Sequence, residues 1–201
     1  MNWRTVTVIA ILFTITLASA QALTFRFESG DSHFLSKEAK WAYIYDLGTK
    51  YRCVRQSGAS SDGLVMFYMH FPETLSSDVK FQIKFSQYNG AFIEVYASSS
   101  APSVYGLPTV KSLVYTSSGL GDVTDYSATF TVTKGSGEYL YFAITLPYYK
   151  SNAEFYLYKD GYYWIETEPE PQPTIQITNL AGIAAAVTVV AFLAYLVGRI
   201  T

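Results

Sequence analysis

The stretch Val79-Lys80-Phe81-Gln82-Ile83-Lys84-Phe85-Ser86 sets an apolar side chain at every second position and a polar one between. Successive side chains of a β-strand point to opposite faces, so this run has one dry face and one wet face. A helix would need its apolar residues three and four apart. The same alternation returns on both sides of it. Leu23, Phe25 and Phe27 alternate with Thr24, Arg26 and Glu28; Tyr126, Ala128, Phe130 and Val132 alternate with Ser127, Thr129, Thr131 and Thr133. Leu140, Phe142, Ile144 and Leu146 alternate with Tyr139, Tyr141, Ala143 and Thr145. Shorter runs at 41–45, 51–56, 64–71, 91–97, 110–116 and 153–158 read as further strands, and only 36–41 has any helical character. About ten short strands, each with one polar face, predict an all-β fold: two antiparallel sheets packed face to face as a β-sandwich.

Two hairpins are expected within that fold. A three-residue loop Tyr88-Asn89-Gly90, with Gly90 left-handed, would pair Phe85 with Ile93, Ile83 with Val95 and Phe81 with Ala97. It sets Lys84 opposite Glu94 on the wet face, whereas a two-residue turn would bury Glu94 against Phe85. By the same logic the loop 134–138 would pair Val132 with Leu140, Phe130 with Phe142 and Ala128 with Ile144.

The chain has 201 residues, half of them hydrophobic and 15% charged, with a net charge of -2. That composition excludes a disordered chain, and it lacks the basic excess a nucleic-acid binder needs. The single cysteine, Cys53, allows no intrachain disulfide and no cysteine-built zinc or iron–sulfur site. It reads as a small buried hydrophobe or, alternatively, as one half of an interchain disulfide. His33 and His70 are the only histidines, too few for a three-histidine metal site. His70 runs in phase with Leu64, Met66 and Tyr68 and reads as a packed strand residue; His33 sits in the polar turn 29–32 with no partner evident from spacing. No serine stands in a Gly-x-Ser-x-Gly elbow, and Gly135-Ser136-Gly137 joins two strands rather than a strand and a helix. Asp122 and Asp125 read as turn formers, with a calcium loop as the alternative. The expectation is therefore no metal, no cofactor and no enzyme.

The ends carry other signals. Residues 1–22 have the basic start, short apolar run and small-x-small ending of a secretory signal peptide, against the alternative of an uncleaved anchor. Residues 180–197 contain no charge and cover ~27 Å as a helix; adding 175–179 makes the segment long enough to span a bilayer. Arg199 follows, so 175–198 reads as a transmembrane helix and 199–201 as a cytoplasmic tail. Between domain and span, Glu166-Thr167-Glu168-Pro169-Glu170-Pro171-Gln172-Pro173-Thr174 reads as an extended stalk of roughly 25 to 30 Å. The expected organisation is a leader, an extracellular sandwich over 23–165, a stalk and one span, with the protein anchored at the plasma membrane and facing outward. Pro169-Glu170-Pro171 before an apolar segment and an arginine also resembles the C-terminal signals cleaved by sorting enzymes.

The strand order from 63 to 158 carries a family resemblance. Phe92-Ile93-Glu94-Val95-Tyr96, then the run from Phe130 through Gly137-Glu138-Tyr139 to Phe142, then Phe155-Tyr156-Leu157-Tyr158 resembles pre-peptidase C-terminal domains over about half the chain. That resemblance implies a jelly-roll-like sandwich of a secreted or surface protein. Where that family often has Asp-x-Asp, this sequence has Asn89-Gly90-Ala91-Phe92.

Tyrosine is the feature that exceeds background, with 18 in the chain against 3 tryptophans. Tyr139, Tyr141, Tyr156, Tyr158, Tyr162, Tyr163 and Trp164 form the expected binding face, since such rings stack on sugars or anchor protein interfaces. The bland alternative is that tyrosine is a good strand former. The sequence thus points to a non-catalytic surface module contacting glycan or protein. A filament or virion subunit that exchanges strand 23–28 between copies, and a hydrolase with an unrecognised site, stand as the alternatives.

Overall fold

Each alternating run quoted above is a strand in the computed structural model, which describes residues 22–103 and 106–166. In chain order the strands are β1 (Leu23–Arg26), β2 (Phe34–Lys40), β3 (Ala42–Asp46), β4 (Lys50–Arg55), β5 (Gly63–His70) and β6 (Asp78–Tyr88). They continue as β7 (Phe92–Ser98), β8 (Ser112–Thr116), β9 (Val123–Val132), β10 (Tyr139–Leu146), β11 (Glu154–Tyr158) and β12 (Asp160–Glu166). A 3-10 turn, Pro72–Leu75, precedes β6. The expected leader, the stalk beyond Glu166, the span and the tail lie outside the described residues; the described part is an all-β domain of two antiparallel sheets.

The larger sheet runs β1-β12-β6-β11-β4-β3, with β9 also pairing β6; the smaller runs β2-β5-β10-β7-β8. Between them lies a core rich in phenylalanine. Phe25, Phe67, Phe81, Phe85, Phe142 and Phe155 are fully buried, joined by Met69, Ile93, Val95 and Leu157. Edge-to-face pairs such as Phe27–Phe142 (centroids 4.8 Å apart) and Phe71–Phe81 (4.8 Å) add specific geometry to the area they bury. Cys53 is fully buried among them, and burial pushes its thiol up to about 12, which favours the reading as a small hydrophobe over an interchain disulfide.

Both expected hairpins are absent, and this is the main correction to the sequence reading. β6 and β7 lie in different sheets, as do β9 and β10. Phe81, Ile83 and Phe85 pair with Phe130, Ala128 and Tyr126 of β9, while Ile93 and Val95 pair with Ile144 and Phe142 of β10. The turn itself is tight: Asn89 and Gly90 both have left-handed backbone, and Ala91 N–H donates to Tyr88 O (3.2 Å). The chain then crosses the sandwich instead of folding back beside itself. Lys84 consequently faces Asp125 (3.5 Å), and Glu94 accepts from Tyr96 OH (2.8 Å) instead of meeting Lys84. The five side chains expected to be buried together are buried, because both arrangements turn the same faces inward. Among the described residues only β3 with β4 and β7 with β8 pair as sequence neighbours.

Two further segments differ from expectation. Residues 36–41 are not helical; they form most of β2, which covers the edge of β5, and the turn after it holds Trp41 at φ 55. Pairing along a whole strand outweighs a short helical preference. At the opposite edge of the larger sheet from β3, β1 pairs with β12 of its own chain. Phe25 enters the core over Gly161, where an added Cβ would come within 2.3 Å of the ring. A side chain at Gly161 would therefore expel the phenylalanine that seats the first strand.

Candidate functional site

The outer face of the larger sheet collects aromatic and charged side chains in register. Strand parity turns Tyr43 and Tyr45 of β3 outward, along with Lys50, Arg52 and Val54 of β4 and Glu154, Tyr156 and Tyr158 of β11. From β6 come Lys80, Gln82, Lys84, Ser86 and Tyr88, and from β12 Tyr162 and Trp164. Pairing aligns these into rows across the sheet. One runs Tyr45, Arg52, Tyr156, Ser86; another runs Tyr162, Gln82, Thr129; a third runs Trp164, Lys80, Thr131.

Tyr88, Tyr156 and Tyr158 are held by polar partners at their hydroxyls, and the last two also by a lysine over the ring. Tyr158 OH donates to Asp125 Oδ1, and Lys84 Nζ lies 4.5 Å from the centroid of the same ring. Lys50 Nζ sits 5.0 Å from the Tyr156 centroid and 5.2 Å from that of Tyr158. Tyr156 OH donates to Glu154 Oε2 (2.9 Å), whose other oxygen pairs with Arg52. Tyr88 crosses Tyr156 edge-to-face with centroids 6.1 Å apart, and its hydroxyl bonds Thr124 Oγ1 (2.8 Å). These contacts fix the rings in place while leaving their rims in water.

Asp125 owes its position to an irregularity. The β6–β9 register shifts between Phe85 and Gln87, and Asp125 takes φ 51 there. The bulge re-aims the side chain over the face, where Ser86 Oγ accepts from Asp125 N–H (2.9 Å). The Tyr158 hydrogen bond, aided by Lys84, holds the Asp125 carboxyl below its ordinary value, and Asp125 in turn pushes the Tyr158 phenol up to about 12. The Arg52 hydrogen bond holds the Glu154 carboxyl low in the same way, against the opposing effect of partial burial. Asp122 accepts from Asn89 N–H (2.7 Å). Both carboxylates of this loop therefore serve local structure, and among the described residues no cluster of three His, Cys, Asp or Glu side chains could hold a metal.

Two depressions open on the face among the described residues. One of about 240 Å³ is lined by Gln82, Lys84, Ser127, Tyr158, Asp160 and Tyr162. The other, of about 440 Å³, lies where β3, β4 and β11 reach the loops, with Tyr45, Arg52, Arg55 and Glu154 on its walls.

Of the seven residues expected to bind, Tyr156, Tyr158, Tyr162 and Trp164 share this face. Three do not. Tyr163 points inward and packs on Phe71 and Phe81, since Gly161 and Tyr163 occupy the core phase of β12. Tyr139 and Tyr141 lie on the outer face of the smaller sheet, and Tyr141 is fully buried there with Met66, Tyr68 and Ala143. Described residues between β7 and β8 cover that face: Ser100 O accepts from Tyr141 OH (2.6 Å), and Leu107 packs on the cluster. Sequence reasoning misses Tyr43, Tyr45 and Tyr88, along with the polar set Lys50, Arg52, Lys84 and Asp125. The Tyr43-x-Tyr45 alternation, matching Tyr156-x-Tyr158, is the signal that would have found the first two.

The two histidines do not make one site. His33 stacks on core Phe71 (4.5 Å) beside Asp31 (3.2 Å). His70 stacks on Tyr139 (4.9 Å) and faces Glu138 (2.9 Å). His33 also has Glu73 Oε1 3.8 Å from its Nε2, and His70 N–H donates to His33 O (2.7 Å), so the two are backbone neighbours whose rings take separate carboxylates and separate aromatic partners.

No family model matches the sequence, and no curated protein matches it, so the resemblance to pre-peptidase C-terminal domains gains no support there. Solved structures give distant likenesses. A family 29 carbohydrate-binding module from Piromyces equi, CBM29_1, aligns with a TM-score of 0.46 and 11% identity over 72% of this chain and 91% of that one. A point mutant of CBM29-2 complexed with cellulohexaose aligns with a TM-score of 0.42 and 13% identity, covering 72% and 93%. Another CBM29-2 point mutant, complexed with mannohexaose, gives 0.41 and 13%, covering 71% and 92%. At this distance the likeness decides neither a family nor a ligand for this chain.

Proposed function

We propose that this domain is a non-catalytic glycan-binding module, held at the cell surface by its C-terminal segment, and that the glycan lies across the outer face of the larger sheet. The observation that carries the reading is the set Tyr156, Tyr158 and Tyr162, with Lys50, Lys84 and Asp125 holding or flanking the rings. Sugar rings present apolar C–H faces ringed by hydroxyls. A fixed aromatic ring flanked by ionised donors and acceptors complements both. A protein partner would call for a desolvated apolar centre instead. The centre of this face carries Lys84 and Gln82.

The test is retention of the full chain, solubilised in detergent, on a panel of immobilised polysaccharides. Tyr158→Ala is expected to abolish retention on whichever polymer the parent binds. Retention unchanged by both Tyr156→Ala and Tyr158→Ala would overturn the reading. The anchoring half rests on the apolar segment 175–198 and the stalk before it, and resistance of the chain to alkaline extraction from membranes checks it separately.

A further inference from the structure

The larger depression carries charge that the domain itself leaves uncompensated. Its one carboxylate, Glu154, has both oxygens engaged, Oε1 by Arg52 and Oε2 by Tyr156 OH. Arg55, in the opposite phase of β4 beside Ala42, also lines the depression, where the strand ends. One of its nitrogens donates to Ala59 O (2.7 Å), and among the described residues no carboxylate lies within ion-pair distance of it. Arg52 is not exhausted either: it gives Glu154 only Nη2, and although its Nε is buried without a partner and closed to a ligand, Nη1 makes no hydrogen bond among the described residues. Two guanidinium groups against one fully engaged carboxylate leave a net positive charge in a concave site of about 440 Å³, in a chain whose overall charge is -2.

The depression is continuous with the aromatic face. Tyr45, Arg52 and Tyr156 are cross-strand neighbours in one row, so a polymer lying on Tyr156 passes directly over Arg52. Ser57 and Asn152 stand on the rim as neutral hydroxyl and amide donors. A planar guanidinium fork suits an oxyanion with two or three acceptor oxygens, which sugars carry as uronate carboxylates or sulfate esters.

Resting on the glycan reading above, we infer that the ligand is an acidic polysaccharide whose anionic group, carboxylate or sulfate, enters the depression between Arg52 and Arg55. Arg55 is the residue that sets the preference for acid over neutral sugar, because Arg52 is already committed in part to Glu154. An internal ion pair beside the site also restrains Arg52 in the geometry the anion meets.

The experiment measures affinity of the full chain in detergent for two matched pairs. The first is polygalacturonate against its carboxyl-reduced neutral form, and the second is dextran sulfate against dextran. One acidic polymer is expected to bind about tenfold more tightly than its neutral partner, as a charge-assisted hydrogen bond is worth. That preference should fall as salt rises, and the pair that shows it identifies carboxylate or sulfate. Arg55→Gln should bring the ratio of acidic to neutral affinity close to one, and Arg55→Lys should restore only part of it. Equal affinity for acidic and neutral partners, or a ratio that survives Arg55→Gln in a variant of unchanged melting temperature, overturns the acidic-ligand inference and leaves the glycan reading standing. Failure to bind any of the four polymers and any member of the wider panel overturns both.

Discussion

The two outer faces of the sandwich are built from the same residue types and have opposite fates. The larger sheet presents Tyr156, Tyr158 and Tyr162 to solvent among lysines, an arginine and carboxylates. The smaller presents Tyr68, Tyr139 and Tyr141 on strands that alternate just as regularly. There the β7–β8 connection lies over the sheet, Tyr141 is fully buried, and Tyr68 OH bonds Glu38. Burial by a covering segment turns tyrosine from a contact surface into a second small core of Met66, Tyr68, Tyr141 and Ala143. Tyrosine suits both uses because its ring is apolar and its hydroxyl needs one partner, which is water or a neighbouring side chain on one face and Ser100 O on the other. What an outward-facing aromatic does is decided by what lies above the sheet.

Truncation should separate the faces most sharply. Tyr141→Ala removes a fully buried ring and leaves Ser100 O without its donor, so it should destabilise the fold by about 3 to 5 kcal/mol in denaturant unfolding. Phe85→Ala, in the main core, should cost a similar ~3 to 5 kcal/mol. Tyr158→Ala, on the open face, should lower the unfolding midpoint far less than either, losing only its exposed hydrogen bond to Asp125, while abolishing glycan retention. If Tyr141→Ala proved harmless, the smaller face would have to be as open as the larger.

Acid should reach the open face through its two depressed carboxylates. Asp125 and Glu154 have folded-state values depressed by Tyr158 and Arg52 respectively. A depressed carboxylate contributes stability above its unfolded value, and that contribution is lost as pH falls through the folded value. Binding and stability should therefore hold down to about pH 4 and decline below it. Asp125→Asn should flatten that part of the stability profile. A decline beginning well above about pH 5 would point to other groups. The smallest effect expected is that of Lys84→Ala. Its partner Asp125 is 3.5 Å away and both side chains are at least 40% exposed, so no change in the unfolding midpoint should be measurable.

Much of this domain was legible in the sequence alone. Period two in 79–86, 126–133 and 139–146 named the strands and, within each, the side chains that face inward. Phe81, Ile83, Phe85, Ile93 and Val95 are all buried as expected. That follows from local stereochemistry: a strand turns alternate residues to opposite sides whatever its neighbours are. Alternation carries no information about which strand lies alongside. A tight turn at Asn89-Gly90 is compatible with a hairpin or with a crossing to the opposite sheet, and both bury the same five residues. Pairing across the whole domain made the choice, placing β9, β11 and β12 on the two sides of β6 where the hairpin would have put β7. For the same reason the sequence could nominate Tyr139, Tyr141 and Tyr163 beside Tyr156, Tyr158 and Tyr162, yet not separate them. Adjacent tyrosines such as Tyr162 and Tyr163 leave the phase of β12 undetermined until Gly161 is seen to seat Phe25. Whether an outer face meets water depends on a connection that contacts it from far along the chain. Residue type and facing were local properties and could be read from the sequence; strand partner, covering segment and the convergence of Arg52, Arg55 and Glu154 on one depression are non-local, and only the tertiary structure decided them.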